Sequence, residues 1–117
     1  MIITEDKLQA AIHGMSETDE SCAMAKVNVA RKEYLCKVAR AKVFLNADGN
    51  IEQRKAKSED SLQVNEAQED YFIALGQYET LKAKRETNTL IIDVWRSENA
   101  NRRQGNIWST NTLPNAL

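Results

Sequence analysis

The sequence predicts an all-α protein: an elongated antiparallel helical hairpin, coiled-coil-like, that assembles into a dimeric helical bundle. Three observations carry this expectation. The one proline among 117 residues is Pro114, so no ring interrupts the chain before it and long helices are permitted. Apolar residues recur at alternating spacings of three and four over two long stretches. Finally, two Trp, three Tyr and two Phe supply little bulk for a wide core, whereas Ala, Lys, Glu and Gln are good helix formers.

The first helix is expected over about residues 5 to 47, opening behind Thr4 as N-cap and carrying Leu8, Ile12 and Met15 at helical spacing. Gly14 followed by Ser16 and Asp19 resembles a capping box, so a kink or a restart of the helix is expected near residue 16. Beyond it, Ala23, Val27, Ala30, Tyr34, Val38, Ala41 and Leu45 gather on one face, while Cys22, Val29, Cys36 and Val43 repeat every seven residues on the opposite one. A helix that is apolar on two sides needs two neighbours.

The chain is expected to double back at about 46 to 50, where Gly49 suits a left-handed turn and Asp48 and Asn50 flank it. Residues 51 to 57 read as a short charged helical lead-in or a loop, with Ser58 as the N-cap of a second long helix over about 58 to 103. Val64, Ala67, Tyr71, Ala74, Tyr78 and Leu81 form its seam. Arg85 and Asn88 interrupt that seam before Ile92 and Trp95 resume it. Residues 104 to 117 read as an irregular tail.

Charge favours an antiparallel arrangement. Residues 1 to 20 hold five acids and one base, 26 to 42 six bases and one acid, 51 to 70 six acids and three bases, and 82 to 103 six bases and three acids. Folding back at Gly49 therefore sets opposite charges against each other. Exposed pairs contribute only about 0.2 to 1 kcal/mol each, so they select orientation more than they stabilise. A lone helical pair would bury one thin stripe. The second apolar stripe, Cys22, Val29, Cys36 and Val43 with Phe72 and Leu90, is expected to be a homo-oligomer interface.

Several function classes are disfavoured. Cys22 and Cys36 lie about 21 Å apart along one helix at 1.5 Å per residue and cannot bridge within it. With only His13 beside them they match no zinc pattern, so no metal and no cofactor are expected. One histidine and no glycine-rich loop leave no catalytic residues to nominate, and an enzyme is not expected. No apolar run is long enough for a membrane span, and MIITEDKLQA lacks the features of a secretory signal, so a cytoplasmic location without membrane attachment is expected. What remains is binding, to a protein partner that the sequence does not name, or to single-stranded DNA. The second alternative rests on Arg96, Arg102, Arg103 and Trp108, a segment mixing cations, amides and rings of the kind that contacts phosphates and stacks bases. The bland reading of the same segment is that Trp95 ends the seam and the arginines offset the helix dipole.

Four stretches carry a family likeness: Lys42-Val-Phe-Leu-Asn-Ala-Asp-Gly49, Glu52-Gln-Arg-Lys-Ala-Lys57, Tyr78-Glu-Thr-Leu-Lys-Ala-Lys-Arg85 and Val94-Trp-Arg-Ser-Glu-Asn-Ala-Asn-Arg-Arg103, the last followed by Gly105-Asn-Ile107. Together they resemble small coiled-coil proteins of phage and prophage genomes, often encoded near single-strand-annealing recombination genes. The resemblance spans most of residues 20 to 107. It implies an accessory role in DNA recombination or in countering a host system, and it transfers no site residue.

Overall fold

A computed structural model describes the backbone of residues 2–112 and the side chains of residues 2–105. It contains three helices, α1 (Glu5–Asn46), α2 (Ile51–Glu59) and α3 (Leu62–Thr112), with no strand among the described residues. The chain is all-α, as its periodicity requires. Its contacts divide into two compact units, one of Met1–Thr18 with Ala83–Leu117 and the other of Asp19–Lys82. In each, a stretch of α1 pairs with a stretch of α3.

Thr4 caps α1 as expected: its Oγ1 accepts from the Lys7 N–H at 3.2 Å. The helix then runs unbroken through Gly14 to Asn46, so the expected restart near residue 16 does not occur. A glycine inside a helix costs about 1 kcal/mol, and here its missing Cβ leaves room for the Asn88 side chain, whose Nδ2 would lie 2.6 Å from an added methyl group.

The bend falls where the sequence places it. Gly49 has φ +111°, a conformation open in practice only to glycine. A Cβ there would also collide with the Gln53 carboxamide. That side chain is occupied in a capping box, in which Gln53 Oε1 accepts from the Asn50 N–H at 3.0 Å while Asn50 Oδ1 accepts from the Gln53 N–H at 2.8 Å. The Lys57 ammonium donates to the Asp48 carbonyl at 2.9 Å and closes the loop.

Two boundaries differ from expectation. The charged lead-in is a short helix, one of the two forms expected, though it runs on to Glu59, so the cap of α3 is Ser61, not Ser58. Ser61 Oγ accepts from the Val64 N–H at 3.1 Å and donates to the Ser58 carbonyl at 3.1 Å, ending one helix and starting the next. Ser58 is instead buried, its hydroxyl donating to the Arg40 carbonyl of α1 at 3.2 Å. At the other end α3 continues to Thr112, beyond the expected start of the tail at residue 104. No proline intervenes, and Gly105 alone costs a helix too little to end it. Residues 113 to 117 of the expected tail lie outside the described residues.

Burial identifies the true seam. On α1 the inward positions are Leu8, Ala11, Met15 and Thr18 in the first unit, and Cys22, Ala25, Val29, Lys32, Cys36, Ala39 and Val43 in the second, a regular alternation of three and four. On α3 they are Val64, Ala67, Tyr71, Ala74, Tyr78 and Leu81, then Arg85, Asn88, Ile92 and Trp95, as the sequence predicts. At two places a small residue of α1 opposes a larger one of α3. The Tyr71 ring faces Cys36 in this way, and Leu81 lies near Ala25.

Candidate functional site

The expected oligomer interface needs correction. Cys22, Val29, Cys36 and Val43 are half-buried or buried on the α3 side of α1, so they belong to the contact within the chain. The stripe expected to close the hairpin lies outside instead, with Val27 and Tyr34 51% and 65% exposed and Leu45 73%. The physical reason is volume. Tyr71 fits against Cys36, whereas a seam that set Tyr34 against that ring would overpack. Phe72 and Leu90, the α3 members of the expected interface, are both exposed. Phe72 stacks at a tilt on Tyr71, ring centroids 5.7 Å apart. Leu90 borders a shallow apolar groove with Ile3, Ala11 and Ile91 in the first unit.

In the second unit α2 packs back on the end of α1. Arg54 lies over the Phe44 ring, 5.9 Å from its centroid, and Arg40 Nε stands 3.6 Å from Glu59 Oε1. On the side of this unit where Met24, Val27 and Arg31 meet Gly76 and Thr80, the surface sinks into an open groove of about 820 Å³.

The seam of the first unit contains a polar layer that the sequence marked only as an interruption. Arg85 Nη1 donates to the Met15 carbonyl at 2.9 Å and to Thr18 Oγ1 at 2.8 Å, and the Thr18 hydroxyl donates to the Gly14 carbonyl at 2.6 Å. Asn88 occupies the space above Gly14. The N–H of Ile3 donates to Glu98 Oε2 at 3.0 Å, fastening the start of the chain to α3. Such a layer fixes register, because sliding either helix would strand a guanidinium in an apolar seam.

Of the residues expected to contact DNA, Arg96, Arg102 and Arg103 are exposed on α3, and Arg96 lies 4.0 Å from Asp93. Arg96 and Arg103, seven residues apart, share a face; Arg102 is turned about 100° from Arg103. Trp108 falls within α3, but its side chain lies outside the described residues. Trp95 is half-buried at the end of the seam, as the bland reading requires.

Among the described residues no helix is long and apolar enough to cross a membrane, and no cluster of three or more His, Cys, Asp or Glu is placed to hold a metal ion. Comparison with known proteins adds no constraint: no family model, no curated protein and no solved structure matches the chain.

The site that remains is a surface. Met24, Val27, Tyr34 and Leu45 form an apolar stripe on α1 that neither α2 nor α3 covers. One regularity of α1 agrees with the outward placement of this stripe without deciding it. The alternation through Cys22, Val29 and Cys36 extends back to Leu8 without a skipped position, and the Tyr34 stripe does not.

Proposed function

We propose that this chain is a non-enzymatic accessory protein of the phage type, acting by protein-protein interaction through self-association of its paired helices, in a process linked to DNA recombination or to countering a host system. One observation carries the interaction part: large apolar side chains stand in solvent along α1 of the second unit, where burial of each would yield about 1.5 to 3 kcal/mol. The phage and recombination part rests on the family resemblance. Sedimentation velocity over the micromolar range tests the first part, with mass rising with concentration as the expected result and a monomer throughout as the contrary one. Copurification with a co-expressed single-strand-annealing protein tests the second.

A second reading is direct binding of single-stranded DNA through α3, favoured by the exposure of Arg96, Arg102 and Arg103 within eight residues. It expects a mobility shift at about 50 mM salt that fades at about 200 mM and is lost when the three arginines become alanine. No shift at the lower salt removes it.

A further inference from the structure

The second unit carries two further stripes at the alternation of three and four, both facing solvent. On α1 these are Met24, Val27, Arg31, Tyr34 and Leu45, with Lys42 at the edge and half-buried Val38 between; on α3, Leu62, Glu66, Glu69, Ile73, Gly76 and Thr80. Leu62 is 74% exposed and Ile73 52%. The stripes flank the same groove, since Met24, Val27 and Arg31 line one wall and Gly76 and Thr80 the other. Gly76 contributes no side chain, and a Cβ there would meet nothing within 4 Å, so the groove is open for an incoming helix.

The two stripes, unlike the groove walls, differ in sign. Arg31 and Lys42 give the α1 stripe positive charge, and Glu66 and Glu69 give the α3 stripe negative charge. We propose that this face is the contact between two copies of the chain, the basic stripe on α1 of each copy lying on the acidic stripe on α3 of the other. The inference rests on the self-association proposed above and gives it a location. A two-fold axis makes such an interface reciprocal, so a surface with one basic and one acidic stripe, each studded with apolar side chains, complements itself twice. Nucleic acid or an anionic membrane would meet Glu66 and Glu69 on the same face, and a basic peptide would meet Arg31 and Lys42. A second copy satisfies both stripes together.

Two charge-reversed forms of the full chain test this. R31E/K42E makes both stripes acidic and E66K/E69K makes both basic, so each form repels its own kind and complements the other. Sedimentation equilibrium is expected to show dimerisation of each form alone weakened at least about tenfold, and dimer restored in an equimolar mixture. Restoration by mixing cannot arise from a fold repaired within one chain. Far-ultraviolet circular dichroism checks that both forms stay helical. Should either unfold, Y34S and I73S, which truncate side chains already more than half exposed, are expected to weaken the dimer likewise. A wild-type dimer indifferent to all of these changes overturns this interface and leaves self-association standing; a wild-type monomer overturns both.

Discussion

Arg85 and Thr18, 67 residues apart in sequence, meet inside the seam of the first unit with the guanidinium Nη1 2.8 Å from the threonine Oγ1. The same nitrogen reaches the Met15 carbonyl at 2.9 Å. Truncation to alanine removes charge-assisted bonds and leaves a gap, so Arg85→Ala should cost about 1.5 to 3 kcal/mol in urea unfolding. Arg85→Leu refills the space with apolar volume and should cost clearly less. Equal losses for both variants would mean that the hydrogen bonds, and not the packing, dominate at this position.

Gly49 should tolerate no side chain. At φ +111° alanine is strained by about 1 to 3 kcal/mol, and its methyl group would also displace Gln53 from the capping box. Asparagine should recover little, because the left-handed well it tolerates lies near about +57°. The melting temperatures of Gly49→Ala and Gly49→Asn check this.

Gly14→Ala has opposing consequences. The helix gains about 1 kcal/mol of propensity, while the methyl group must push away the Asn88 carboxamide. In an Asn88→Ala background only the gain remains. A double-mutant cycle should therefore show Gly14→Ala more stabilising there than in wild type, and additivity of the two changes would refute the contact.

The two serines between α2 and α3 should respond unequally. Ser61→Ala removes the acceptor for the Val64 N–H and should cost about 1 kcal/mol. Ser58→Ala removes only a donor to a carbonyl within α1, and apolar burial of the methyl group offsets part of that loss, so about 0.5 kcal/mol is expected. Reversal of this order in thermal melts would return the cap to Ser58.

Thiol reactivity should separate the two cysteines. Cys36 is buried against α3 and Cys22 half-buried, so a thiol reagent added to the folded chain should label Cys22 first and reach Cys36 only on opening of the seam. Labelling rates read by mass spectrometry, with Cys22→Ala as control, give the answer.

Much of the architecture was legible in the residues themselves. Thr4, Gly49 and the series from Val64 to Trp95 each have a local cause that needs no tertiary information: a cap, a positive φ and a period. The choice between the two apolar stripes of α1 was not local. It depended on the volumes that α3 presents, and Tyr71 against Cys36 is a fit that neither helix reveals alone. Ser58 and Ser61 are both chemically able to cap, and the docking of α2 on Arg40 decided between them. Gly14 read as a weakness because its partner, Asn88, is 74 positions away. The outward stripe on α3 is not legible in the sequence, because Glu66, Glu69 and Gly76 dilute Leu62 and Ile73, and its meaning emerges only beside the basic stripe of α1.

The disparity in size across the α1–α3 seam bears on how the chain responds to ionic strength. Cys36 against Tyr71 and Ala25 beside Leu81 make a steric match, and counterions do not weaken it. Contact between copies through oppositely charged stripes would loosen as salt rises. Brine should therefore part whole molecules from each other while every one of them stays folded.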